Sequence, residues 1–284
     1  MKRREWISAL DGGWAEASIP RRVRLWIIAA LTVALAVAVF IRPPIPQVQS
    51  YNDFADRRSL LGVPNLLDAA SNIPFLIVGV LGLIFVWRHS TTSDGIFIEP
   101  SERWPYVFFF LGSALVCFGS GYYHLLPNDD RLMWDRLPMT VGFMSFFAAT
   151  IAERINVKLG VRLLLPLIAA GIGSVLYWHL SELRTTGGDL RWYVEVQYYP
   201  ILAIPLMAFL FPSRYTRGVC IFGVLGLYTL AKAFELLDGP IFSLGHVVSG
   251  HTLKHLVGAL AIYCVLWMLQ TRQPLVGEKG AASR

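Results

Sequence analysis

Apolar residues dominate eight stretches of the chain, each long enough as a helix to cross roughly 30 Å of hydrocarbon at about 1.5 Å per residue. They run from Leu25 to Ile41, Leu66 to Trp87, Trp104 to His124, Leu132 to Ala152, Val161 to His179, Trp192 to Phe211, Gly218 to Leu237 and Gly250 to Gln270. Pro74, Gly171, Pro205 and Gly226 fall inside them, which does not argue against helices, because both residue types are tolerated in transmembrane segments. The first stretch follows Arg21, Arg22 and Arg24, as the core of a signal peptide would. It has full span length, however, and Arg42-Pro43-Pro44 follows it instead of a small-residue cleavage site, so a retained helix is predicted. No internal repeat stands out, and no linker is long enough to separate two domains.

Composition sharpens this pattern into a class. Of the 284 residues 55% are hydrophobic and only 15% charged, against roughly 25% charged in a soluble domain. A soluble enzyme, a disordered chain and a nucleic-acid binder are excluded, despite a net charge of +6. The expected class is an all-α integral membrane protein. Its basic residues then report topology. Sixteen Lys and Arg fall on the N-terminal side of the membrane, including Lys2, Arg3, Arg4, Arg21, Arg22 and Arg24, against nine on the other. Both termini are therefore expected in the cytoplasm, in what reads as a bacterial inner membrane. Residues 1–24 are read as a cytoplasmic N-terminal segment and 271–284 as a cytoplasmic tail. Cys117, Cys220 and Cys264 lie in apolar runs without paired spacing and read as small buried hydrophobes.

Candidate chemistry comes from sorting the membrane-embedded polar residues by side, since each costs about 2.5–3.5 kcal/mol near the bilayer centre. Ser120 and His124 end the third span, Asp135 begins the fourth, and His251 and His255 begin the eighth. All five fall on the extracytoplasmic side. Ser120 and His124 are four residues apart, as are His251 and His255, so each pair shares one helix face. Two imidazoles one turn apart can share a zinc ion, and a third from a facing helix completes the three-ligand pattern of catalytic zinc. Asp135 follows His124 by eleven residues, across a short turn, and can approach the same point. The cytoplasmic halves of the spans read as nearly free of ionisable groups.

The segment Ser120-Gly-Tyr-Tyr-His124, Asp135, and Ser249-Gly-His251-Thr-Leu-Lys-His255 together resemble the alkaline ceramidase family. That family belongs to the CREST group of membrane hydrolases, which includes the adiponectin receptors. The stretch from Asp56 through Asn65-Leu-Leu-Asp68-Ala-Ala-Ser71-Asn72-Ile-Pro74-Phe75 also looks like bacterial ceramidase-like members. The similarity runs from about Tyr51 to Gln270. It implies a seven-helix core over residues 42–270, matching spans two to eight, with the helix at 25–41 as an addition. It further implies that His124, His251 and His255 bind Zn2+, while Ser120 and Asp135 support an attacking water. Calcium-binding members carry a carboxylate-rich segment before their first core helix. Asp56, Asn65 and Asp68 fall there, but carboxylates are fewer, and turn and helix-capping roles are favoured over a Ca2+ site.

The expected activity is hydrolysis of the amide of ceramide or a related N-acyl lipid that arrives from the bilayer. Asp135 is the natural general base, and Ser120 a donor to the water or the developing oxyanion. His179, Glu182, Arg191, Glu195, Gln197, Lys232, Glu235 and Asp238 lie on the same side as supporting candidates, with Lys232 and Glu235 read as an i, i+3 ion pair. His89 and His246 read as structural or solvated. Tyr122, Tyr123, Trp134, Trp178, Trp192, Tyr198 and Tyr199 fit an outer aromatic belt. A receptor-like or ion-coupled transport protein, or a lipid hydrolase acting on another bond, are the alternatives.

Overall fold

A computed structural model describes residues 19–89 and 96–275. The readings placed on residues 1–18 and 276–284, including Lys2, Arg3 and Arg4, lie outside the described residues. Helix α1 (Arg21–Phe40) starts right after Pro20, four residues ahead of the expected apolar boundary. Its Arg24 is buried and donates to the Leu210 carbonyl at 2.8 Å, which lets a charged first turn join the packed structure.

The second span is broken into α2 (Leu66–Ala70) and α3 (Ile73–Arg88). Pro74 explains the break: lacking an N–H and clashing with a preceding turn, proline suits a helix start, and it occupies the first turn of α3. A small antiparallel hairpin, β1 (Ser59–Leu60) with β2 (Val63–Pro64), precedes α2. The chain continues through α4 (Arg103–Leu125), α5 (Asp129–Arg154), α6 (Val157–Glu182), α7 (Arg191–Leu210), α8 (Cys220–Leu236), the short α9 (Asp238–Ser243) and α10 (Gly250–Thr271). Several helices outrun the apolar stretches that announced them because polar caps extend them. Asn128, Asn156 and Ser249 each accept a hydrogen bond from the third residue onward, at 2.9 Å in all three cases.

Among the described residues, six helical segments are long and apolar enough to cross a membrane: Arg21–Phe40, Leu66–Arg88, Pro100–Leu125, Val157–Glu182, Arg191–Leu210 and Gly250–Thr271. Helix α5 is long enough but not apolar enough over a full span, and α8 has 17 residues. Large apolar side chains such as Trp26, Ile77, Phe118, Leu165 and Leu202 are exposed on the outer faces, the surface a bilayer would solvate. The chain is a multi-pass α-helical membrane protein. Helices α3 through α8 pack each on the next, and α8 on α10 and α10 on α3 close a ring. Helix α1 lies outside it, against α7, where the Thr32 and Tyr199 hydroxyls meet at 2.6 Å.

Two expectations are corrected. At the end of the ring opposite the histidines, Glu102, Arg154 and Arg272 are buried with Glu153 close by, so that half is not free of ionisable groups. Arg272 pairs with Glu153, which also accepts from the Tyr106 hydroxyl at 2.7 Å, and Arg214 lies 3.3 Å from Glu102. Glu153 and Arg154 belong to α5, which runs two residues past its apolar stretch, and Arg272 caps the end of α10. The aromatic belt also loses members. Tyr123 and Trp178 are fully buried, Tyr199 is half-buried, and Tyr122, Trp134, Trp192 and Tyr198 remain exposed. No disulfide joins Cys117, Cys220 and Cys264, each half-buried on its helix.

Candidate metal centre and cavity

His124 sits at the end of α4, and His251 and His255 one turn apart at the start of α10. The structure brings the three together. One ligand nitrogen from each lies within 4.8 Å of the others, and the ring centroids are 4.8–4.9 Å apart. All three rings are buried. Both ring nitrogens of His124 and Nε2 of His251 have no hydrogen-bond partner among the described residues. A buried polar atom left unpaired costs about 1–3 kcal/mol. Converging imidazoles that keep lone pairs unpaired therefore fit a cation such as Zn2+, and the trio could hold a metal ion.

His255 adds a more specific sign. Its Nδ1 lies 2.7 Å from the Ser71 hydroxyl, and that hydroxyl donates its single proton to the Asp68 carbonyl at 2.8 Å. Ser71 must then accept from Nδ1–H, which leaves the Nε2 lone pair of His255 for a ligand. Asp68 carries the arrangement further. Its carboxylate accepts from Ser249 at 3.0 Å and Thr252 at 2.7 Å, fixing the first turn of α10 on which His251 and His255 ride. The opposite anchor is Asp238, which accepts from the backbone N–H of His251 and of Ala55, each at 2.8 Å. Phe54, next to Ala55, packs its ring 4.7 Å from His124 and 4.5 Å from His251, covering the trio.

Close helix contact sets the remaining two residues. A side chain at Gly119 would overlap the Trp134 carbonyl, so α4 and α5 approach backbone to backbone there. The next residues on each helix, Ser120 and Asp135, consequently come close together and line the same cavity. Gly250 does the same beside the Phe234 carbonyl, seating His251 against α8.

Ser120, Asp135 and His255 open onto a cavity of about 440 Å³. Its walls are largely apolar, with Phe109, Phe146, Ile204, Val224 and Ala261 among the deepest-lying by position on their helices. Eleven residues separate Asp135 from Phe146 on α5, roughly 16 Å at 1.5 Å per residue, so the cavity runs as a shaft away from the histidines. Polar lining gathers at the histidine end: Arg136, Lys232, Glu235, Lys254 and Tyr51. Arg136 is held by Gln47 at 2.7 Å and by the faces of Trp178 and Tyr193, 4.3 and 4.6 Å from its guanidinium carbon. Burial pushes the Tyr51 phenol well above its usual range, keeping it a neutral donor to Glu235 at 3.1 Å.

The expected Lys232–Glu235 pair is present at 2.5 Å, and Lys254 joins it at 2.9 Å. His179 stands apart from the trio, 3.8 Å from Asp130 and 3.7 Å from Glu182. His89 bonds its own helix at the Phe85 carbonyl, and His246 is exposed. The calcium reading gains no support from the partners of its three residues. Arg58 occupies both carboxylate oxygens of Asp56, at 2.8 and 2.7 Å, and holds that carboxyl below the usual range. Asn65 turns its amide N–H to the His124 carbonyl, and Asp68 gives Oδ1 to Ser249 and Thr252 while its Oδ2 has no hydrogen-bond partner among the described residues.

Sequence reasoning missed Ser71 and Phe54, named Asp238 only as a supporting candidate, and placed Asp68 only in the calcium segment. A run of Asp68, Ser71 and Asn72 just where an apolar span begins was the available signal for Ser71 and Asp68. Asp238 was legible as a polar residue on the histidine side but not as the anchor of His251, and Phe54 acts across the fold and left no signal. No protein-family model matches the chain, and no curated protein matches it significantly.

Proposed function

We propose that the protein is an intramembrane, zinc-dependent amidohydrolase that cleaves the amide of ceramide or a related N-acyl lipid, releasing a fatty acid and an amine lipid. The observation that carries this reading is that a three-histidine cluster touches, through His255, an apolar shaft that Ser120 and Asp135 also line. In this reading residues 42–270 form the seven-helix core of a ceramidase-like CREST member, α1 is an addition, and α5 and α8 complete eight spans. Helix α5 tolerates its charges because Asp135 and Arg136 face protein and cavity instead of lipid. Both termini are cytoplasmic and the histidines extracytoplasmic, as the basic-residue count indicates.

A zinc ion bound by His124, His251 and His255 would supply Lewis-acid polarisation of the substrate carbonyl and an activated water. The chain's own residues do the rest. Asp135 takes the proton of the attacking water and returns it to the leaving amine nitrogen. Ser120, one turn before His124, orients the Asp135 carboxyl and can turn its O–H to the oxyanion as charge develops there. Phe54 and the segment around it shield the histidines from bulk water. The shaft takes an acyl chain, and burying it contributes about 0.8 kcal/mol per methylene.

The buried charges at the far end weaken one argument against an ion-coupled carrier. Along α5, however, no ionisable residue lies between Arg136 and Glu153, so a polar route across the ring is missing on that helix. The test is release of fatty acid from detergent-solubilised N-acyl lipids by wild type and Asp135→Asn. Turnover by wild type that Asp135→Asn abolishes, with the variant still folded, is the expected result. Equal turnover, or none in a metal-loaded wild type across ceramides and other N-acyl lipids, would overturn the reading.

A further inference from the structure

The cavity's charges do not balance. Arg136, Lys232 and Lys254 line it together with only two carboxylates, Asp135 and Glu235. Glu235 is shared: its carboxylate accepts from Lys232, Lys254 and Tyr51 at once. Among the described residues each lysine ammonium donates a single hydrogen bond, to Glu235, although it carries three N–H groups. Lys232 and Lys254 keep 28% and 18% of their side-chain surface accessible, so spare donors face open space and not protein. Surplus positive charge is costly in a low-dielectric cavity unless something neutralises it.

Position makes the surplus informative. Lys254 immediately precedes His255 and follows His251 by three residues, one helical turn, so it stands beside the histidine cluster. Lys232 reaches the same place from α8. The apolar shaft starts at this level and leads away from it. A ligand whose chain fills the shaft and whose polar centre lies at Asp135 must leave its headgroup beside the two ammonium groups.

We propose that Lys232 and Lys254, held apart by Glu235, form an anion-binding subsite, and that the natural ligand is an acidic N-acyl lipid with a carboxylate or phosphate next to its amide. That the ligand is cleaved rests on the amidohydrolase reading; the subsite does not. Charge-assisted hydrogen bonds to a desolvated anion are worth about tenfold or more in affinity. A neutral headgroup gains none of this and leaves the surplus charge uncompensated.

The test measures binding to purified full-length protein in uncharged detergent, using analogues that cannot be hydrolysed because CH2 replaces the amide N–H. Three share one sixteen-carbon acyl chain and mimic the N-acyl derivatives of glycine, phosphoethanolamine and ethanolamine. Wild type is expected to bind at least one of the two acids about tenfold or more tightly than the neutral analogue, and the stronger acid identifies the anion. Lys232→Met and Lys254→Met are each expected to cut that preference to threefold or less while still binding the neutral analogue. Each single variant leaves Glu235 paired with the other lysine, so folding is preserved, and Lys→Arg at either position retains the preference. A wild-type preference below threefold, or one that survives both Met substitutions, would overturn the proposal. Amine release from the authentic amides is scored separately. Charge preference without release leaves the subsite standing and removes the amidohydrolase reading, whereas release without preference does the reverse.

Discussion

Replacing Ser71 by alanine probes the histidine cluster without touching a proposed ligand. The Ser71 hydroxyl accepts from Nδ1–H of His255 at 2.7 Å and donates to the Asp68 carbonyl at 2.8 Å. Ser71→Ala removes both bonds and leaves the imidazole N–H with only the Asp68 carbonyl, already taken by Asn72, at a cost of up to about 1–3 kcal/mol. The neighbouring Asn72 offers Nδ2 at 3.4 Å, a donor that cannot accept from Nδ1–H, so rescue by Asn72 requires the amide to flip and give up its 2.9 Å bond to Asp68. Without the acceptor, His255 is free to rotate or to switch tautomer, and Nε2 no longer presents a fixed lone pair. Loss of such an outer hydrogen bond typically lowers metal affinity 10–100-fold, about 1.4–2.7 kcal/mol, which agrees with the desolvation figure. Zinc affinity is measured by competition with a chromophoric chelator, and Ser71→Thr, which keeps the hydroxyl, serves as the control. Unchanged affinity in a folded Ser71→Ala protein would refute the assigned tautomer and with it the orientation of His255.

Further outcomes follow from the packing. Gly119→Ala is expected to push α4 from α5 at the Trp134 carbonyl, costing about 1–3 kcal/mol or more in thermal unfolding and separating Ser120 from Asp135, so turnover falls beyond what stability loss explains. Ala261→Phe fills the shaft at a buried wall position and shifts preference toward shorter acyl chains, with about 0.8 kcal/mol lost per methylene excluded; an unchanged chain-length profile would place the chain elsewhere. Asp56 is held below the usual carboxylate range by Arg58, so it contributes stability that is fully present above about pH 4, the unfolded value, and is lost as pH falls through its lower folded value. Arg58→Met removes that partner and is expected to raise the pH of acid unfolding in detergent.

The long apolar helices were legible in the sequence because hydrocarbon thickness dictates their length, and the depth of His124, His251, His255, Ser120 and Asp135 was legible because helix spacing puts them at one level. What hydropathy could not supply is whether a charge at the edge of a span faces water or protein. Arg24, counted among the cytoplasmic basic residues, is buried, as are Glu102, Arg154 and Arg272 at the span edges, and Trp178 looked like a belt residue and stacks on Arg136. The Lys232–Glu235 pair was readable as i, i+3, whereas Lys254 joins it from another helix and had no local signature. Asp238 and Phe54 belong to the same class: each acts on His251 across a loop closure that no sequence spacing encodes.

The central claim is that His124, His251 and His255 form one metal site. Elemental analysis of detergent-purified wild type beside a His251→Ala/His255→Ala variant tests it most directly. About one zinc per chain is expected in the wild type and its loss in the variant, with helix content unchanged by circular dichroism. A well-folded wild type that takes up no metal, or a variant that retains it, would contradict the account and make the histidine cluster structural.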